Sequence, residues 1–276
     1  MEVVFIVLMF VVGAICGSFA CCQAWRLHLA EKPKDRKAAR LRGSKWSVCM
    51  DCGSRLKWYD NLPVVSWLML RGKCRKCGKK IGGWEIASEL GLAVVFAAVG
   101  MKFWLGYDVA MGGWEAGRYW GLFGLLLVML VGLAILFVAD ARWGRLPTKT
   151  LTFCIICAIV YVFSREWGVF SVAQFWNYLG ALVVLPVLYF LLYKVSEERW
   201  VGSGDWLLAL PLALVLGNFW LAFFCLFVAN LLGCLVMVPL TARQGKGMNV
   251  RVPFGPFLIA AFVVVFLGQG WILGLL

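Results

Sequence analysis

The sequence predicts an all-α, polytopic membrane protein of about eight transmembrane helices, with a cytoplasmic four-cysteine zinc loop between helices 1 and 2. Three observations carry that prediction. Hydrophobic residues make up 63% of the 276-residue chain, against about 45–50% in a soluble domain. Apolar residues gather into eight stretches, most near the roughly 20 residues that cross a bilayer. Positive charge concentrates in one segment between the first two stretches.

The stretches cover residues 3–25, 85–106, 119–139, 150–163, 172–193, 206–217, 219–240 and 253–275. The first has no basic region before its apolar core and no small-residue cleavage site after it, so it reads as a retained helix rather than a secretion signal. The fourth and sixth are short for a span. Such a segment tilts little, thins the bilayer, or runs partly re-entrant behind other helices.

Of 27 Lys and Arg, 16 lie between Arg26 and Lys80, against four acids, Glu31, Asp35, Asp51 and Asp60. The positive-inside rule places that loop in the cytoplasm and the N-terminus outside. Eight alternating spans then put loops 140–149, 194–205 and 241–252 inside, leaving only Lys102, Arg118 and Arg165 on the outer side. Nucleic acid is another partner for a basic surface. Beside membrane helices, anionic lipid and orientation account for the charge, and no nucleic-acid partner is expected.

The basic loop contains its own repeat. "CMDCGSRL" starts at Cys49 and "CRKCGKKI" at Cys74, so Cys49, Cys52, Gly53 and Leu56 recur 25 residues later as Cys74, Cys77, Gly78 and Ile81. In each copy two sulfurs can face one tetrahedral ion, and the Gly can take the positive φ that turns the chain behind it. Two knuckles make a four-thiolate site with zinc-ribbon spacing. Two disulfides or four free thiols are the alternatives, and a reducing cytoplasm argues against the disulfides. Four thiolates leave no open coordination position, so the expected Zn2+ shapes the loop rather than performing hydrolysis.

Cys16, Cys21, Cys22, Cys154, Cys157, Cys225 and Cys234 lie in apolar stretches, where a thiol packs as a small hydrophobe. His28 is the only histidine. A Ser-His, Cys-His or multi-histidine mechanism would rest on it alone.

Two acids stand out by position. Asp140 closes the third stretch in "LFVADARWGRLP" and Asp205 opens the sixth in "GSGDWLLAL". The topology puts both at cytoplasmic helix ends, where they can meet. Two carboxyl groups close together share a proton. One can then activate water while the other donates to a scissile carbonyl, which is aspartic peptidase chemistry. Asp205 is also a reasonable helix N-cap, whereas a charge at Asp140 opposes the helix dipole. Gly202 and Gly204 permit a bend and close approach of backbone or substrate beside Asp205, and serve equally as loop punctuation.

These residues resemble the bacterial type IV prepilin peptidases, GxGD-type membrane aspartic enzymes, over nearly the whole chain. "GSFACCQAWRL" (17–27) is similar to that family's opening. The segment 47–81, with its two CxxC pairs, Asp60-Asn61-Leu62-Pro63 and Ser66-Trp67, followed by "SEL" (88–90), falls in the family's order. Asp140 with Leu146-Pro147 resembles the first catalytic motif, Gly202-Ser203-Gly204-Asp205 the second, and "VPFGPFLIAA" (252–261) a late segment. Two positions depart: Leu207 stands where the family commonly has Lys, and "ACCQAW" lacks the usual Asn.

The resemblance implies a bacterial inner-membrane enzyme. It would cut the basic leader from prepilins and pseudopilins at the cytoplasmic face, with Asp140 and Asp205 catalytic. It also implies N-methylation of the new terminus with S-adenosylmethionine, to which the zinc loop would contribute without named residues. The implied organisation is a first helix (1–25), a basic zinc-binding loop (26–83), a second helix with an outer loop (84–117), and a six-helix peptidase core (118–276). Two other classes compete. A non-catalytic zinc-loop scaffold for pilus or secretion assembly would not need both aspartates. A transporter predicts inverted repeats and acids near the bilayer midplane.

Overall fold

The computed structural model describes residues 1–30, 46–49, 51–107, 112–168, 170–196, 202–244 and 253–275. Among these there is no β-strand, only two isolated bridges. Seven helices are long and apolar enough to cross a membrane, and an eighth, Ser203–Leu216, is shorter. Together they account for all eight apolar stretches, several extended by a turn or more.

The chain forms two compact units, Met1–Gly106 and Tyr107–Leu276. In the first, α1 (Glu2–Ala30) lies against α3 (Gly83–Gly106). Glycines set their separation. A Cβ at Gly13 would stand 2.7 Å from the Ala93 Cα, and one at Gly17 would stand 2.7 Å from the Glu89 Cα. Small residues let helix backbones approach this closely where no water is present to drive association.

Between those helices lies the cysteine loop, with a single turn of 3-10 helix (Trp58–Asn61) and the short α2 (Val65–Met69). The sequence repeat is also a repeat of hydrogen bonds. Cys49 N–H bonds Ser54 O, Gly53 N–H bonds Cys49 O, and Leu56 N–H bonds Ser47 O. Cys74 to Lys79, Gly78 to Cys74, and Ile81 to Gly72 reproduce the pattern. Gly53 and Gly78 sit at φ 69° and 70°, the left-handed conformation that glycine adopts without a Cβ penalty.

The second unit contains α4 (Gly113–Trp143), α5 (Thr148–Glu166), α6 (Val172–Leu182), α7 (Leu188–Ser196), α8 (Ser203–Leu216), α9 (Phe219–Gln244) and α10 (Gly255–Gly274). A π turn at Val183–Val187 joins α6 to α7 around Pro186, whose missing N–H breaks the regular ladder.

The short α8 is the hub, packing on α5, α6, α7, α9 and α10. At 14 residues it runs about 21 Å, less than the roughly 30 Å hydrocarbon core. It therefore ends inside protein. Backbone carbonyls at such an end need partners where water is absent. Gly217, at φ 60°, donates to Ala213 O, and Arg165 Nη1 donates to Val215 O at 2.9 Å. Arg165 is itself held by Glu166 at 2.8 Å and by the Tyr178 hydroxyl. The charge that the sequence places on the outer side caps a helix end.

Candidate active site and metal centre

Asp140 lies in the last turn of α4. That helix ends in a left-handed cap, where Gly144 N–H donates to Asp140 O at 2.7 Å. The carboxyl group turns inward and is only 5% exposed. Its Oδ2 accepts a 3.0 Å hydrogen bond from Gly255 N–H, in the first turn of α10. That N–H is one of the helix-start donors with no intrahelical acceptor, so the acid and the helix end satisfy each other.

Asp205 is the third residue of α8, one turn after its N-cap Gly202. Its Oδ2 reaches back to Gly202 N–H at 3.0 Å, and the residue is 8% exposed. Asp205 thus closes the first turn from inside the helix, while the cap position belongs to Gly202. Asp140 and Asp205 are close enough to interact electrostatically. Each commits one oxygen, Oδ2, to a backbone N–H. Among the described residues neither Oδ1 has a hydrogen-bond partner, so both remain available to water or substrate.

Close backbone approach surrounds the pair. A Cβ at Gly255 would lie 2.7 Å from Asp140 Oδ2 and 3.4 Å from Leu208 Cδ2. A Cβ at Gly204 would lie 2.8 Å from Leu146 Cδ1. At Gly202 the nearest atom would be Asp205 Oδ2 at 3.5 Å, an ordinary contact. The space around the two glycines of "GSGD" therefore differs: Gly204 is crowded and Gly202 is not.

Two residues that sequence reasoning passed over belong here. Gly255 was visible only as part of "VPFGPF". Tyr189, at the start of α7, is 3% exposed and within electrostatic reach of Asp205. Its ring packs on Phe254 at 5.5 Å between centroids. Its hydroxyl has no partner among the described residues.

In the first unit the sulfurs of Cys49, Cys52, Cys74 and Cys77 all lie within 4.8 Å of one another. Cys49 Sγ and Cys77 Sγ are 3.9 Å apart. A tetrahedral Zn2+ with bonds of about 2.3 Å places its sulfurs roughly 3.8 Å apart, so this donor set fits such an ion. All eleven cysteines are free thiols, and the disulfide alternative has no pair here. Burial pushes the Cys49 thiol up to about 12, while hydrogen bonding by Ser54 holds the Cys52 thiol down at about 6. Two ion pairs join the knuckles and the intervening turn: Lys79 to Asp51 at 3.0 Å and Arg75 to Asp60 at 2.9 Å.

A buried pair of carboxyl groups at helix ends in the second unit, and in the first unit a cluster of four cysteines that could hold a metal ion, are features that fit a membrane-embedded protease. Comparison with known proteins makes the class specific. The Bacterial Peptidase A24 N-terminal domain matches residues 11–103, and the Type IV leader peptidase family matches residues 127–238. The "Prepilin leader peptidase/N-methyltransferase" of Dichelobacter nodosus is 30% identical over 244 residues, covering 86% of this chain and 75% of that protein. The protein of the same name from Vibrio cholerae serotype O1 is 26% identical over 266 residues, 96% of this chain and 98% of its own length. That of Pseudomonas putida is also 26% identical, over 96% of this chain and 91% of its own. No solved structure matches the chain. The chain belongs to the type IV leader peptidase family.

Proposed function

We propose that this protein cleaves the basic leader from type IV prepilins and pilin-like proteins at the cytoplasmic face of the bacterial inner membrane, and then N-methylates the new terminal residue with S-adenosylmethionine. The observation that carries the peptidase reading is the meeting of Asp140 and Asp205, buried together although 65 positions apart. The cytoplasmic assignment rests on the distribution of Lys and Arg between the loops.

In this reading one carboxylate takes a proton from water, which attacks the scissile carbonyl. The other carboxyl group donates its proton to the carbonyl oxygen, and collapse of the tetrahedral intermediate expels the amine. Gly255 N–H and Gly202 N–H hold Oδ2 of each aspartate, so Oδ1 of each faces the reacting atoms. The unpartnered Tyr189 hydroxyl beside Asp205 serves as a positioning group for water or the peptide carbonyl. Crowding at Gly204 and Gly255 keeps the helices near enough for the two acids to share one water.

Cys49, Cys52, Cys74 and Cys77 would hold Zn2+, which fixes the fold of the loop and takes no part in hydrolysis, since four thiolates complete its shell. The organisation we favour keeps the peptidase in the region from residue 118 onward, with zinc loop and methyl transfer before it.

The test is mass spectrometry of a prepilin with its leader and apolar segment, incubated with the purified chain in detergent and S-adenosylmethionine. Loss of the leader and gain of one methyl group are expected. An intact substrate would overturn the reading.

A further inference from the structure

The carboxylate pair lies wholly in the second unit, and the relatives' names carry two activities. We infer that a cleft in the first unit, at the zinc-loop end of α1 and α3, binds the methyl donor S-adenosylmethionine through Trp25, Arg26, Trp46, Asn61, Glu85 and Glu89. This rests on the methyltransferase half of the proposed function.

The cleft has a cavity volume of about 130 Å³ with a mouth open to solvent, and these six residues are among those that line it. Its chemistry matches the donor group by group. S-adenosylmethionine combines a sulfonium, an amino acid head, a ribose diol and an adenine. Aromatic faces attract a cation that has no hydrogen-bond donor, and indoles also stack on a purine. Arg26 offers a planar fork to the donor's carboxylate. Glu85 and Glu89 stand one turn apart on a single face of α3, where they can accept from the ammonium or the diol. With two acids and one cation in the cleft, a donor of net charge +1 has complementary partners.

The site is also built rather than incidental. Glu89 is buried and accepts a 2.7 Å hydrogen bond from Val64 N–H, with Ser18 as a second partner. Val64 is held at φ 62° and ψ −50°, a positive-φ conformation strained for a β-branched residue. The carboxylate thereby ties the loop to α3 beside the cleft. Trp46 is fixed by the Arg55 guanidinium, 3.4 Å from its ring centroid, yet remains 57% exposed.

Transfer there is a displacement. The substrate amine's lone pair forms the N–C bond as the S–C bond breaks, and that pair returns to sulfur, leaving neutral S-adenosylhomocysteine. The surplus amine proton passes to a carboxylate or to water.

The experiment is calorimetric titration of S-adenosylmethionine into the full chain in detergent, with zinc content and thermal melting as controls on folding. Trp46→Leu is expected to weaken binding about threefold, the loss typical of one exposed cation–π contact, and Glu85→Gln about tenfold, that of one charge-assisted contact. Trp46→Phe, which keeps an aromatic face, is expected to bind close to wild type. If wild type binds and both Trp46→Leu and Glu85→Gln bind equally well, the cleft is wrong while the methyltransferase reading stands. If wild type binds no donor and leaves cleaved substrate unmethylated, that reading falls and takes the cleft with it.

Discussion

Gly255 donates its backbone N–H to Oδ2 of Asp140 at 3.0 Å, across 115 positions of sequence. The bond ties the start of α10 to the end of α4 and sets the direction of the carboxyl group. A Cβ at Gly255 would stand 2.7 Å from that same oxygen, closer than nonbonded contact allows. Gly255→Ala must therefore turn Asp140. Misplacing a catalytic group by about 1 Å can cost roughly 10²-fold, so we expect a fall of that order in kcat with KM little changed. Steady-state cleavage of a leader peptide separates the two constants.

The glycines of "GSGD" should not behave alike. Gly204→Ala places a methyl 2.8 Å from Leu146 Cδ1, an overpacking that costs about 1–3 kcal/mol. Leu146→Ala opens the needed space, so the double variant should melt higher than Gly204→Ala alone. Gly202→Ala meets only an ordinary contact at 3.5 Å and should melt close to wild type. Thermal unfolding of the four proteins as a double-mutant cycle checks both statements.

Tyr189 carries a buried hydroxyl without a partner among the described residues, an arrangement that costs about 1–3 kcal/mol. Tyr189→Phe removes the unsatisfied group while keeping the ring on Phe254. Melting temperature should stay level or rise, and kcat should fall about tenfold, the worth of one hydrogen bond to the reacting groups. An unchanged kcat would make Tyr189 a packing residue only.

The cysteine loop should contain one zinc per chain by elemental analysis. Structural zinc contributes about 10–16 kcal/mol of apparent binding energy to small domains. Cys49→Ser or Cys74→Ser should therefore lose the metal and open residues 46–82 to protease, and a strong chelator should do the same to wild type. Protease resistance after metal removal would mean that the hydrogen-bonded knuckles hold without it.

Much of this was legible in the chain because it is periodic or repeated. Apolar runs gave the helices, and a 25-residue echo gave the knuckles, whose hydrogen bonds then repeat bond for bond. Asp140 and Asp205 were legible because acids are costly beside hydrocarbon. What escaped was long-range and aperiodic. Nothing local links Gly255 to Asp140, or Tyr189 to Asp205, because those contacts are set by helix packing. Asp205 is a natural N-cap by residue type, yet Gly202 takes that place and leaves the carboxyl group to reach back from the third position. Arg165 reads as an outer charge, and only the short length of α8 explains why its guanidinium is needed. Gly17 stands out in sequence only within "GSF", whereas the structure gives it a reason in the close contact with Glu89.

The most direct measurement is cleavage of a prepilin-like peptide, carrying leader and apolar segment, by the purified protein in detergent, for wild type, Asp140→Asn and Asp205→Asn. Asn preserves the shape of each side chain and the acceptor for Gly255 or Gly202, while removing the acid. Wild type should cut before the apolar segment, and both variants, folded as judged by thermal melting, should lose cleavage. Near-normal cleavage by either variant would contradict the account and leave that aspartate a structural acceptor for its glycine.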